Sequence, residues 1–145
     1  MSNIDSIVQR NAANVRRFLD ATHRGELGVI DELVDPAIVT HGFPCAKSPA
    51  SRAEYRAFFV DLAKQWADMG FELHALVADE HFVAARFTVT GTHAGEVMGI
   101  AATGRQVSFD GMALYRMRDG RIAETWLHPD GLAILGQIGE RASAA

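Results

Sequence analysis

The chain has 145 residues, which at about 100–200 residues per domain predicts a single domain over residues 1–145. Nearly half of the residues are hydrophobic and 22% are charged, as in an ordinary globular protein that buries a core. This composition excludes a disordered chain, a collagen-like repeat and a disulfide scaffold. The net charge of −4 does not attract the chain to nucleic acid or to an anionic membrane surface, so we expect neither as a partner.

Cysteine content and chain ends point to a reducing compartment. Cys45 is the single cysteine, which excludes an intramolecular disulfide. The N-terminal residues 1–17 are too polar for a signal peptide, and no segment has the roughly 18 apolar residues of a membrane span. We therefore expect a cytoplasmic protein. Because metal-ligand spacings and glycine-rich phosphate loops are missing from the sequence, we also expect no metal and no cofactor.

The first half of the chain has the periodicity of helices, with apolar residues recurring at three- and four-residue spacing. Arg24-Gly25 and Asp35-Pro36 are signals that end the first two helices. Ser51 and Glu54 have the spacing of a capping box, which begins the third helix. The predicted helices cover residues 4–23, 26–34 and 51–67, with a short strand over 37–41.

From Gly70 onward apolar residues alternate with polar ones, which predicts strands. Two hairpins are predicted, one of strands 71–78 and 82–93 and one of strands 106–117 and 121–128, before a last helix over 132–138. The Asp119-Gly120 pair favours the tight turn of the second hairpin. Helices followed by antiparallel strands indicate an α+β fold, in which helices pack on one face of a cone-shaped, curved antiparallel sheet. Its apolar interior is the expected ligand site.

Two segments in the second half of the chain carry a resemblance to a known family. They are Gly91-Thr-His-Ala-Gly-Glu-Val-Met-Gly99 with Thr103-Gly-Arg105, and Arg116-Met-Arg-Asp-Gly-Arg-Ile122 with Glu124-Thr-Trp126, Asp130 and Gln137-Ile-Gly139. With the order of helices and strands, they resemble the SnoaL-like polyketide cyclases. That family belongs to the cone-shaped α+β folds that are similar to nuclear transport factor 2 and to cystatin. The resemblance covers nearly the whole chain.

The resemblance implies a cofactor-free enzyme that closes a polyketide ring by intramolecular aldol condensation. Asp130 lies four residues after Trp126, the position at which similar cyclases have their acid–base residue. A carboxylate in an apolar cone also loses hydration, which favours proton transfer near neutral pH. The alternative is that Asp130 only caps the last helix. His128 shares strand parity with Asp130, so we expect it to partner the aspartate or to contact a substrate oxygen.

Four further residues are predicted to bind substrate, each with a structural alternative. Trp126 offers a flat wall for a planar substrate or belongs to the core. His41 ends the first predicted strand, where similar sequences often have a histidine, or is an ordinary loop histidine. Tyr115 directs its hydroxyl into the cone or packs in the core, and His93 lies among glycines that favour a strand bend. The remaining histidines are interpreted as helix-end or strand-surface residues: His23, His74 and His81.

The same residues leave other functions open. One is an isomerase, hydratase or hydrolase in the same pocket, and another is a non-catalytic ligand-binding or dimerisation module. An enzyme would bury Asp130 in an open pocket beside another polar group, whereas a module would fill that space with side chains. Apolar residues occur at both parities of strand 82–93, so both sheet faces need covering, and we expect a homodimer through the outer face.

Overall fold

The architecture follows from a computed structural model that describes residues 2–45 and 47–139. Residues 140–145 of the predicted domain lie outside the described residues. The helices are α1 (Asn3–His23), α2 (Val29–Leu33), α3 (Arg52–Gln65) and α4 (Gly131–Ile138). The strands are β1 (Val34–His41), β2 (Trp66–Ala78), β3 (Phe82–His93), β4 (Gln106–Arg118) and β5 (Arg121–Pro129).

The five strands form one curved, unclosed sheet in the order β1-β5-β4-β3-β2. Strands β2 to β5 pair antiparallel with their neighbours, as the two hairpins predict. Strand β1 adds a parallel edge next to β5. The helices cover one face of the sheet, so the predicted α+β fold is confirmed.

Helix α1 holds the tips of both hairpins. At the second hairpin, Asp119 and Gly120 have φ values of 50° and 77°, as the predicted Asp-Gly turn requires. The Asn14 side-chain amide donates a 2.8 Å hydrogen bond to the Gly120 carbonyl. The Asn11 amide donates in the same way to the Asp79 carbonyl, at 3.3 Å in the first turn. These bonds fix the end of the sheet against the helix.

Two predicted boundaries are wrong, each where a buried residue pairs across the sheet. Val34 begins β1 instead of extending α2, because it is fully buried and pairs with Ile122. Trp66 begins β2 instead of ending α3, because it pairs with His93 and is 3% exposed. Asp68 then has a φ of 53° within an irregular stretch of β2. Tertiary pairing outweighs the local helical pattern at both positions.

The core joins α1, α3 and the inner face of the sheet. Phe18 is fully buried, and its ring centroid lies 5.7 Å from Tyr55, 5.8 Å from Phe59 and 6.1 Å from Tyr115. The Ser51 side chain caps α3 by accepting a 3.1 Å hydrogen bond from the Glu54 backbone. The cap and the aromatic contacts together place α3 over the sheet and leave a cavity beside this cluster.

Candidate active site

An apolar cavity lies between α1, α3 and the inner face of the sheet. Its wall includes Leu19, Phe58, Trp66, Phe87 and Phe109. The cavity has a volume of about 80 Å³. A single water needs only about 10–15 Å³ by the same measure, so the cone is open and is not filled by side chains.

A few buried polar side chains line this cavity. Tyr55 and Tyr115 are 2% and 3% exposed. Thr125, on the inner face of β5, also lines it and is a hydrogen-bond partner of the Tyr55 side chain. Burial raises the pKa of both tyrosines above the usual range. Both phenols therefore stay protonated at neutral pH and can donate a hydrogen bond to a ligand oxygen.

His23, the last residue of α1, brings an imidazole to the same cavity. Its Nδ1 lies 2.8 Å from the Leu19 carbonyl oxygen, which can only accept a hydrogen bond. Nδ1 therefore carries the proton of the neutral ring, and Nε2 carries the lone pair. The ring stacks on Phe71, with centroids 4.1 Å apart and an interplanar angle of 23°.

The environment of His23 favours the neutral imidazole. Burial lowers the pKa of His23, and the Leu19 hydrogen bond and the Asp20 charge oppose this effect only in part. Sequence reasoning treated His23 as a surface residue at a helix end. A signal was nevertheless present, because His23 follows Val15 and Leu19 at four-residue intervals and thus continues the buried stripe of α1.

Three of the predicted site residues lie on the outer face of the sheet. Trp126 stacks on His41, with ring centroids 5.2 Å apart and an interplanar angle of 16°. His41 Nε2 lies 2.7 Å from Glu124, and Arg116 Nε donates a 3.0 Å hydrogen bond to the same carboxylate. Hydrogen bonds from His41 and Arg116 lower the pKa of Glu124. His128 is exposed on this face, two residues beyond Trp126.

Asp130 lies between β5 and α4, directly after Pro129, which lines the cavity. The Asp130 side chain is exposed, and its Oδ1 accepts a 3.0 Å hydrogen bond from the Ala133 backbone. This is the helix cap that the sequence offered as the structural alternative. Neither Asp130 nor His128 is among the residues that line the cavity, and their catalytic role stays a prediction.

The last two predicted residues, Tyr115 and His93, differ in location. Tyr115 lines the cavity. His93 is fully buried behind Trp66, with ring centroids 5.6 Å apart. Its Nδ1 accepts a 3.2 Å hydrogen bond from the Thr103 backbone. The structure thus brings Tyr115 to the ligand space and leaves His93 one layer behind its wall.

Within residues 2–45 and 47–139, no cluster of three His, Cys, Asp or Glu side chains is arranged to hold a metal ion. In the same residues, no helix combines the length and the apolar character needed to cross a membrane.

The chain combines an open, curved sheet with helices on one face and an apolar cavity between them. This architecture defines the class of cone-shaped folds similar to nuclear transport factor 2. The family model of the SnoaL-like polyketide cyclases matches residues 13–138. The chain belongs to this family.

Known relatives agree with this assignment and differ in their described activities. The aklanonic acid methyl ester cyclase AcmA of Streptomyces galilaeus is 29% identical over 133 residues, covering 88% of this chain and 90% of the relative. The solved structure of IdmH from Streptomyces antibioticus, described as a polyketide cyclase, is 27% identical with a TM-score of 0.76, covering 89% and 98%. AclR of Streptomyces galilaeus, described as a hydroxylase, is 28% identical with a TM-score of 0.77, covering 92% and 98%.

Proposed function

We propose that this protein is a cofactor-free enzyme that closes a ring by intramolecular aldol condensation of an apolar or aromatic carbonyl compound. The observation that carries the proposal is the open apolar cavity, in which the polar groups are a few buried side chains. An apolar wall with a few oriented polar groups is typical of a small-molecule site. The cyclase names of the relatives support the same reaction.

The reaction needs a base, a hydrogen-bond donor and a fixed substrate conformation. The base removes a proton from a carbon flanked by carbonyl groups, and the electron pair of the C–H bond delocalises into an enolate. The enolate carbon then attacks a second carbonyl carbon of the same molecule, and the new alkoxide takes up a proton. The net change is one C–C bond and the transfer of one proton from carbon to oxygen, so no oxidant is required.

The cavity supports the last two of these requirements. Its apolar wall excludes water and holds the substrate folded, which replaces an unfavourable search for the reactive conformation. The phenols of Tyr55 and Tyr115 stay protonated and are available to the oxygen on which negative charge develops.

The resemblance implies the acid–base role of Asp130. The sequence pattern predicts His128 as its partner, and it predicts substrate contacts for Trp126, His41 and His93 besides Tyr115. For Asp130 to act in this way, the substrate must extend past Pro129 to the rim of the cavity. The carboxylate must then share or give up its hydrogen bond to the Ala133 backbone. This requirement makes Asp130 a directly testable part of the proposal.

The test uses the methyl ester of aklanonic acid, which the names of the relatives supply as a first substrate. The protein is incubated with the ester in the presence of a chelator and without cofactor, and products are separated by chromatography with mass detection. Ring closure by aldol addition predicts a new compound of unchanged mass. A product heavier by one water would instead assign a hydratase reaction, and conversion of the methyl ester to the free acid would assign a hydrolase.

Two matched variants connect the reaction to the cavity. Val89 lines the cavity, whereas Thr90, the next residue of β3, is exposed on the outer face. Val89→Trp fills the ligand space and is expected to abolish turnover, while Thr90→Trp adds the same side chain outside and retains it. Equal activity of the two folded variants would contradict catalysis in this cavity.

A ligand-binding module is the second candidate, because the exposed Asp130 caps a helix and the cavity wall is largely apolar. Calorimetry distinguishes the two functions. Saturable binding of the ester that is lost in Val89→Trp, without any product, would support the module and exclude the cyclase reaction for this compound.

A further inference from the structure

We propose that His23 is the general base of the cavity and removes the substrate proton through its Nε2 atom. This assignment deepens the proposed function and rests on it. It places the base on α1, in the wall of the cavity, and not at Asp130 before α4.

The first argument is the fixed tautomer of the ring. The Leu19 carbonyl, 2.8 Å from Nδ1, requires the Nδ1–H form. Nε2 therefore presents a lone pair, which is the group that a base needs. Within residues 2–45 and 47–139, Nε2 makes no hydrogen bond to another group. A ligand in the cavity is consequently a natural partner for it.

The second argument is the fixed orientation of the ring. Phe71 stacks on one face of the imidazole at 4.1 Å, and the Phe59 ring meets it at 5.8 Å with an interplanar angle of 79°. With the Nδ1 hydrogen bond, these contacts restrict rotation about both side-chain torsions. A base that is held in place before the substrate binds loses little entropy when it acts.

The third argument is the charge environment. The side chains packed on the ring from β2, α3 and β3 are Phe71, Phe59 and Phe87, which carry no charge. The Asp20 carboxylate on α1 favours the protonated ring, but the effect of burial is larger, so the pKa is lowered. The ring is thus neutral at pH 7, and it is ready to accept a proton.

The proton balance is simple. The Nε2 lone pair forms a bond to the substrate hydrogen, and the electrons of the broken C–H bond remain in the enolate. The resulting imidazolium keeps both ring protons until the alkoxide of the product forms. It then returns the Nε2 proton to that oxygen, directly or through the hydroxyl of Tyr55 or Tyr115, and the neutral Nδ1–H ring is restored.

Proton removal can be measured separately from ring closure. The probe is 2-tetralone, an aromatic ketone whose acidic C–H groups exchange with D2O, and exchange is followed by NMR in wild type, His23→Gln and His81→Gln. We expect wild type to accelerate exchange over buffer. His23→Gln should lose about 10²- to 10⁴-fold of this rate, and exposed His81→Gln should lose none. Exchange that survives in His23→Gln, or a wild-type rate equal to buffer, overturns the assignment.

Two further measurements guard against a variant that does not fold. Imidazole ¹⁵N shifts of the wild-type protein at pH 7 should identify His23 as the Nδ1–H tautomer, and a protonated Nε2 would overturn the assignment. His23→Asn, a smaller replacement, should repeat the loss of exchange with an unchanged circular dichroism spectrum.

Ring closure of the aklanonic ester that persists in both variants would leave the proposed function intact and refute only the role of His23 as the base. Exchange dependent on His23 without ring closure would refute only the aldol reaction.

Discussion

The two faces of the sheet carry opposite chemistry on alternating residues of the same strands. On β5, Thr125 and Leu127 line the cavity, whereas Glu124 and Trp126 lie on the outer face. The inner side combines an apolar wall with protonated phenols. The outer side combines an ion-paired network with a stacked indole. A shift of one residue along the strand thus separates side chains that line the cavity from side chains held in an ion-paired network.

The difference between the two faces indicates which polar side chains are available to a ligand. Glu124 on the outer face already accepts hydrogen bonds from His41 and Arg116. The inner-face phenols and His23 face a space that only a ligand or water can fill. We therefore expect the chemistry at the inner face and assembly at the outer one.

The largest expected effect is on turnover, from removal of one inner-face hydroxyl. Tyr115→Phe deletes a donor to the developing negative charge and is expected to lower kcat by about 10²-fold or more. The free energy of unfolding should change little, since the ring and its contact with Phe18 are retained. Steady-state kinetics with the aklanonic ester provide the measurement. Trp126→Phe on the outer face is the control, and a comparable loss of kcat in that variant would contradict the division between faces.

Assembly is the next test, because the homodimer stays a prediction. Ala84, Leu114 and Trp126 lie side by side on β3, β4 and β5, which gives the outer face an apolar row. Light scattering is expected to give about twice the 15.8 kDa mass of the chain. Leu114→Glu should halve the measured mass, since it places a charge in the row. Leu132→Glu, an equally drastic change on exposed α4, should leave it unchanged. A wild-type monomer at micromolar concentration would refute the dimer.

A smaller effect is expected at Asp130, where resemblance and geometry disagree. Geometry predicts that Asp130→Ala loses about 1 kcal/mol of unfolding free energy through the lost cap. Asp130→Asn should retain both stability and turnover, because asparagine also caps helices. The resemblance predicts instead that both variants lose turnover. Chemical denaturation and kinetics on the two variants decide between these outcomes.

The smallest effect concerns the pH dependence of stability. His23 at the cavity and Glu124 on the outer face should change the free energy of unfolding in two different pH ranges. The pKa of His23 is lowered from 6.5 by burial, so the unfolded chain binds this proton more readily than the folded protein. His23 should therefore reduce stability as the pH falls below about 6.5. The pKa of Glu124 is lowered from 4.5 by His41 and Arg116, so its contribution is lost only below that value.

Denaturation of wild type, His23→Gln and Glu124→Gln at pH 7.5, 5.5 and 4 measures both windows. We expect His23→Gln to flatten the change between pH 7.5 and 5.5, and Glu124→Gln to flatten only the change at lower pH. An unaltered slope above pH 5.5 in His23→Gln would mean that the fold does not lower the pKa of His23.

Much of the fold could be predicted because its signals are local. The change of hydrophobic period near Gly70 and the Asp119-Gly120 turn specify helices followed by hairpins. The bounds of α2 and α3 were less accessible. Val34 and Trp66 fit the preceding helix by local pattern, and only their partners on β5 and β3 draw them into the sheet. Such long-range pairing has no signature within a short window of sequence.

The site was harder to predict because parity does not reveal which face is internal. Trp126 and His128 do share a face, as their spacing predicts, but apolar residues at both parities made that face look like the interior. Tyr115 lines the cavity, as one of its two interpretations predicts, because residues on β4 alternate between buried and exposed; its contact with substrate stays a prediction. His23 was overlooked because a histidine beside a helix-ending glycine is typical of the surface. Its four-residue spacing from Leu19 on α1 indicates instead that His23 is buried.

The division between the faces also separates the two tryptophans, so their fluorescence can report on two different events. The chain has two tryptophans, of which Trp66 lies in the cavity wall and Trp126 lies on the outer face. In Trp126→Phe the remaining indole emission responds to a ligand entering the cone. In Trp66→Phe the emission responds to contact between outer faces. Fluorescence of these two single-tryptophan variants therefore measures ligand occupancy and association separately, without an added dye.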